Sequence, residues 1–282
     1  MKAFDRYNPY IILLHFLFVT GVCMMIMHPI VIITALVSGM MYALSLFGRK
    51  AFAKMWAMLP VVIITAAVNP IFNHSGATVL GQLPWGKPFT FEAVVFGLFA
   101  GLMLWAAILW FSCFNNNFKS DKIMYVFGKA APSLALVLSM IMRFVPRLSG
   151  RTEEVIRAQQ ALGRDIKNGP LKNRLRLASG VFSQIAGWGM ENSVEVAQGM
   201  RCRGFLSGKR TAFSVYTFDR RDVYFLIFML ICAAGCVIGF GSFGYAYYPE
   251  VKFSKELTGL VAYGMVCGAP VFITAVEEYK WR

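Results

Sequence analysis

The chain has 282 residues, 57% of them apolar, and a mean hydropathy of +0.58. Only 15% are charged, against about a quarter in a soluble domain, yet Lys and Arg outnumber Asp and Glu by 28 to 14 for a formal charge of +14. This argues against a soluble enzyme or a nucleic-acid binder, and the 15% aromatic content with only six cysteines argues against a disordered or disulfide-stapled chain; the composition is that of an integral membrane protein with a surplus of positive charge.

Apolar runs of the roughly 17–25 residues needed to cross a bilayer fall at about 10–27, 29–47, 56–72, 91–114, 222–243 and 257–276. The first run follows Met1-Lys2-Ala3-Phe4-Asp5-Arg6 and lacks a small-residue cleavage site, so it reads as a retained anchor. Only Met27-His28-Pro29 separates the first two runs, which predicts a tight helical hairpin. A seventh apolar stretch, about 123–142, is interrupted by Lys129 and Pro132. Residues 143–221 are hydrophilic and read mostly as helix, about 150–163 and 171–200, punctuated by Pro146, Gly150, Gly169-Pro170 and Gly204/Gly208. Thr152-Glu153-Glu154 suits a helix start. The longer helix carries Ser179, Ser183 and Gly187 with Gly180 beside them, a spacing that lets helix backbones approach closely.

The basic residues sort unevenly against these runs. Lys2 and Arg6, then Arg49, Lys50 and Lys54, then Lys119 and Lys122, fifteen residues in 143–221, and Lys280 with Arg282 fall on one side. Lys87, Lys252 and Lys255 fall on the other, and Lys129 in the interrupted stretch. The positive-inside rule then places both termini and 143–221 in the cytoplasm. Four crossings return the chain to the cytoplasm at 115–122, so a full crossing by 123–142 would carry the fifteen basic residues outside. The expectation is an all-α integral membrane protein of about six transmembrane helices, with 123–142 lying along the cytoplasmic interface. Its regions are 1–114 (four spans), 115–221 (cytoplasmic and interfacial helices) and 222–282 (two spans).

Segment 143–221 nets nine positive charges. Most of them are accounted for by topology and by contact with anionic lipid. Two places ask for more: Ala158-Gln159-Gln160-Ala161-Leu162-Gly163-Arg164-Asp165 and Gly199-Met200-Arg201-Cys202-Arg203-Gly204-Phe205. Each closes a predicted helix with small residues, an Arg and a Gly. An Arg at a helix end is a rigid multi-donor fork suited to an acidic groove, and the Gly can end the helix in a left-handed conformation. The pair suggests two similar docking points for two similar partner surfaces.

At these residues the chain resembles the transmembrane T component of energy-coupling factor (ECF) transporters, the EcfT/CbiQ family that includes the cobalt transporter's Q protein. That family has two cytoplasmic coupling helices, each ending in an Ala-Arg-Gly-like motif. Arg203-Gly204 takes the place of the core pair in the second; in the first, Leu162 stands where the Arg is expected and Arg164 lies just beyond Gly163. Asn8-Pro9, His28-Pro29, Asn69-Pro70-Ile71-Phe72-Asn73-His74, Ala130-Ala131-Pro132 and Arg143-Phe144-Val145-Pro146 are similar too and occur in the right order, so the resemblance runs over about 5–275. It implies a non-catalytic subunit of a bacterial or archaeal plasma-membrane transporter. The chain would hold no cofactor and bind no nucleic acid, with ATP and Mg in two partner ABC-type ATPases. Arg203, Gly204, Arg201, Arg164, Gly163 and Ala161 would dock the ATPases. Ser179, Ser183 and Gly187 would contact a separate membrane S component that captures a vitamin or a transition-metal ion.

Other residues carry less. Cys232 and Cys236 are one helical turn apart without a His or carboxylate in the same span, which favours apolar packing over a metal site. His15, inside the first span, is expected in a hydrogen-bonded packing role; His28 and His74 fall in turns, and Asn73-His74-Ser75 is a chance sequon. No GxxxxGK[ST] loop occurs. The runner-up function is a self-contained secondary transporter or channel with a midplane site at broken helices, hinted at only by Asn69-Pro70 and Gly97/Gly101. A membrane enzyme finds no acid–base or metal constellation.

Overall fold

Polar residues placed before prolines start the first two helices. Asn8 Oδ1 accepts the Tyr10 N–H at 3.1 Å and His28 Nδ1 accepts the Ile30 N–H at 3.3 Å. In each case the following proline occupies the first helical position, where a missing N–H costs nothing. The computed structural model describes residues 3–73, 78–82, 88–164, 170–205, 207–208, 216–241, 245–246, 252–253 and 257–280. After a 3-10 turn, Ala3–Arg6, come α1 (Pro9–Met25), α2 (Pro29–Phe47), α3 (Arg49–Trp56), α4 (Leu59–Phe72), α5 (Phe91–Asn117), α6 (Ser120–Ala130), α7 (Pro132–Ala161), α8 (Leu171–Cys202), α9 (Arg220–Gly241) and α10 (Leu257–Lys280). Two antiparallel hairpins, β1 (Val79–Gln82) with β2 (Pro88–Thr90) and β3 (Tyr245–Ala246) with β4 (Lys252–Phe253), sit in the connections before α5 and α10. These small hairpins had no counterpart in the reading of the sequence.

The chain forms two compact units, Met1–Lys119 with Tyr216–Arg282, and Ser120–Val215. In the first unit the polarity is that of a protein in lipid. His15, Asn8 and Asn117 are buried, whereas Leu17, Ile63 and Ile238 are exposed, the last at 76%. In an apolar solvent the helices associate through close packing and interhelical hydrogen bonds, and both are present. Trp110 Nε1 donates to the Ala35 carbonyl at 2.9 Å, Asn117 Nδ2 to the Tyr42 hydroxyl at 2.6 Å, and the Tyr263 hydroxyl to the Val19 carbonyl at 3.0 Å. Asp222 joins the starts of α1 and α9: its Oδ1 accepts the Asn8 N–H at 3.2 Å and its Oδ2 the Asp219 N–H at 3.1 Å. The architecture is that of an all-α integral membrane protein.

By length and composition α2, α5, α7, α9 and α10 are able to cross a membrane, and α1 and α4 are shorter apolar helices. The third apolar run is shared between α3 and α4, with the break at Ala57 and Met58. Pro60 has no N–H to offer the Trp56 carbonyl, so the helix cannot run on. The stretch 123–142 is likewise divided: α6 ends at Ala130 and α7 starts at Pro132, with Ala131 between them at φ −143° and ψ 83°, because a residue before proline is driven out of the helical region.

The predicted helix over 150–163 is corrected. It begins at Pro132 and runs without interruption through Pro146 and Gly150. A proline removes one backbone bond and kinks, rather than ends, a helix whose pattern continues on both sides.

Candidate functional site: two capped helix ends

Both long helices of the second unit end in the same backbone device. At the end of α7, Gly163 takes φ 74°; at the end of α8, Gly204 takes φ 79°. The Gly163 N–H donates to the Gln160 carbonyl at 2.9 Å and the Arg164 N–H to the Gln159 carbonyl at 3.0 Å. The Gly204 N–H donates to the Arg201 carbonyl at 3.0 Å and the Phe205 N–H to the Met200 carbonyl at 3.1 Å. This is one Schellman closure made twice. It needs a left-handed residue after the cap, which is why a Gly stands there.

The closures fix a residue-by-residue equivalence. Gly163 matches Gly204, Leu162 matches Arg203 at the cap, and Arg164 matches Phe205. Leu162 is 70% exposed; Arg164, Arg201, Arg203 and Gly204 are exposed as well. Among the described residues no carboxylate pairs with Arg203 or Arg164. The structure therefore gives the six predicted docking residues two identically shaped ends. One presents a guanidinium at the cap and the other an aliphatic side chain, with its Arg two positions on. Asp165, the last residue of the first motif, lies outside the described residues.

Between these ends, α7 and α8 meet where Phe144 stacks on Trp188, centroids 5.8 Å apart and planes 8° from parallel. The Arg151 guanidinium lies 6.0 Å from the Trp188 ring, and Arg147 donates to Asn192 Oδ1 at 3.5 Å. From this stack α7 runs on for about 26 Å and α8 for about 21 Å to their capped ends, at about 1.5 Å per residue. Of these five residues Phe144 belongs to the quoted Arg143-Phe144-Val145-Pro146 motif, whereas Arg147, Arg151, Trp188 and Asn192 were not singled out in the sequence. The available signal was an aromatic residue set into each of two otherwise basic helices.

Ser179, Ser183 and Gly187 lie along an open face of α8: all three are exposed, and a Cβ added to Gly180 or Gly187 would meet nothing within 4 Å. Other predicted features prove to be packing. Gly97 and Gly101 let α5 close on α4, where an added Cβ would meet Asn69 and Thr65, while Asn69 Nδ2 donates to the Ala93 carbonyl at 2.6 Å. Cys232 and Cys236 are buried, the Cys236 thiol against the Gly259 carbonyl at 3.8 Å. His15 is a packing residue but without the expected hydrogen bond. Among the described residues neither ring nitrogen has a partner, and Phe4, Phe16, Trp110 and Phe225 surround the ring with centroids 5.4–6.2 Å away. His74 lies outside the described residues.

No protein-family model matches the chain. It is 27% identical over 205 residues to the energy-coupling factor transporter transmembrane protein EcfT 1 of Listeria monocytogenes, covering 67% of this chain and 75% of that protein. It is 32% identical over 106 residues to EcfT of Exiguobacterium sibiricum, 37% of this chain and 40% of the relative. A Bifidobacterium longum protein that carries the name of an ABC transporter ATP-binding protein is 28% identical over 111 residues, 39% of this chain and 14% of that protein. The chain is thus similar to EcfT proteins over about two thirds of its length, and the resemblance to the transmembrane T component of energy-coupling factor transporters that its ordered motifs carry is borne out.

Proposed function

We propose that the chain is the non-catalytic coupling subunit of an ATP-driven uptake transporter. ATP and Mg are held by two cytoplasmic ABC-type ATPases, one seated on the α7 end and one on the α8 end. A separate membrane S component, which binds the vitamin or metal ion, packs on the open face of α8 around Ser179, Ser183 and Gly187. The observation that carries this reading is the pair of identical closures at Gly163 and Gly204. A Schellman cap fixes the direction in which a helix end presents its last side chains, and two such ends on helices joined by one stacked crossing move together. Closure of the ATPases on ATP would displace both ends, and the crossing would carry the displacement to the α8 face. That is the rigid, two-position element that coupling requires.

Co-expression with two ABC-type ATPases and a candidate S component tests the reading. The expected product is a detergent-stable complex with one copy of each ATPase per chain. A chain that purifies alone from membranes containing all three partners contradicts it. The residues that hinted at a self-contained carrier, Asn69 and Gly97/Gly101, are occupied in closing α4 on α5.

A further inference from the structure

Aligned on their closures, the two helix ends share a shape and differ in chemistry. Ala158 and Ala161 of α7 fall on Gly199 and Cys202 of α8, so both last turns are built from small residues, and Gly163 falls on Gly204. Three positions differ in charge or polarity: Gln160 against Arg201, Leu162 against Arg203, and Arg164 against Phe205. On α7, Ala158, Ala161 and Leu162 stand at i, i+3 and i+4, hence on one face, and all three are exposed. No charged residue lies between Arg157 and Arg164, and Arg157 is paired with Glu153 at 3.4 Å. The α7 cap is therefore an uncharged apolar turn, with Leu162 70% exposed. The α8 cap carries Arg201 and Arg203, both exposed, and among the described residues no carboxylate pairs with either.

One pocket chemistry cannot serve both ends. A carboxylate set to receive Arg203 loses its water and gains no partner when Leu162 takes that place. An apolar pocket shaped for Leu162 strips water from the Arg203 guanidinium without replacing it. We propose that Leu162 and Arg203 decide which ATPase each end accepts: the α7 end takes a subunit whose groove is apolar at the cap, and the α8 end one whose groove presents a carboxylate there. The two ATPases then bind in one orientation only, because exchanging them mispairs both caps at once. Leu162 is a contact in its own right and not the scar of a lost Arg. Selection of this kind rests on the proposed docking of an ATPase at each end, and adds what each end requires.

The sign of one substitution tests this. The full chain is purified in detergent from its native membranes together with the ATPases it carries. Photo-reactive benzoylphenylalanine at Arg157 or at Gln198, equivalent exposed positions one turn before each cap, then marks the ATPase seated at each end, and mass spectrometry identifies it. Different ATPases are expected at the two positions. Leu162→Arg should lower recovery of the α7-end ATPase about tenfold, and Leu162→Met less than about twofold. The melting temperature of the isolated chain should be the same for both, because the side chain is exposed. Undiminished or increased recovery with Leu162→Arg overturns the proposal, as do equal yields of one ATPase at both ends; either result leaves the docking itself standing. A chain that emerges without any ATPase overturns the docking, and the selection with it.

Discussion

Two glycines set the geometry of the α7 and α8 ends, and their φ angles of 74° and 79° lie where a β-branched side chain meets the following carbonyl. A left-handed conformation costs about 1–2 kcal/mol for an ordinary residue, and Asn bears it best. Gly204→Val should therefore speed hydrogen exchange of the Phe205 amide, which is bonded to the Met200 carbonyl, about tenfold or more. Gly204→Asn should leave it nearly unchanged. Equal exchange in both variants would mean that the closure does not depend on this φ. At this scale much was legible in the sequence: Asn8-Pro9 and His28-Pro29 are helix starts, and Arg203-Gly204 is a helix end. The equivalence of Leu162 with Arg203 was legible as a missing Arg. That Arg164 occupies the Phe205 position was not, because only the hydrogen bonds define the register. His15 shows the opposite limit. Burial followed from its place in a span, but an aromatic surround in place of a hydrogen bond depends on Phe4 and Phe225, far apart in the chain.

At the scale of elements, stability rests on a few close approaches and polar ties. Gly101 packs against Val62 and Thr65 of α4, with the Val62 Cα 3.0 Å from where its Cβ would stand. Gly101→Leu should lower the melting temperature in detergent, an overpacking cost of about 1–3 kcal/mol, whereas replacement of Gly21, which has open space around it, should not. Asp222→Ala strips an acceptor from the Asn8 and Asp219 amides and should cost about 1–3 kcal/mol; Asp222→Asn, which keeps one acceptor, should cost less. Thermal unfolding of the two variants side by side checks this. The apolar runs were legible as helices because six of them are nearly uninterrupted. The breaks were less so. Pro132 and Pro60 end helices by restricting the residue before them or removing a donor, while Pro146 lies inside α7 without ending it. The difference lies in the helical pattern on either side, not in the proline.

Across the whole molecule, the proposed topology and the proposed docking together assign the +14 charge of the sequence. The proposed topology puts 143–221 in the cytoplasm, so an Ile185→Cys residue in a Cys202→Ser background should react with a membrane-impermeant thiol reagent only from the cytoplasmic face. Labelling from outside would require an odd number of crossings before α8. The central claim is that the cap residue of α8 holds an ATPase. Its most direct measurement is recovery of the two ATPases with an Arg203→Glu chain from detergent-solubilised membranes. The account predicts at least a tenfold loss of ATPase, as for a dominant interfacial Arg, with normal insertion of the chain and a smaller loss for Arg164→Glu. Recovery of both ATPases at full stoichiometry with Arg203→Glu would contradict it.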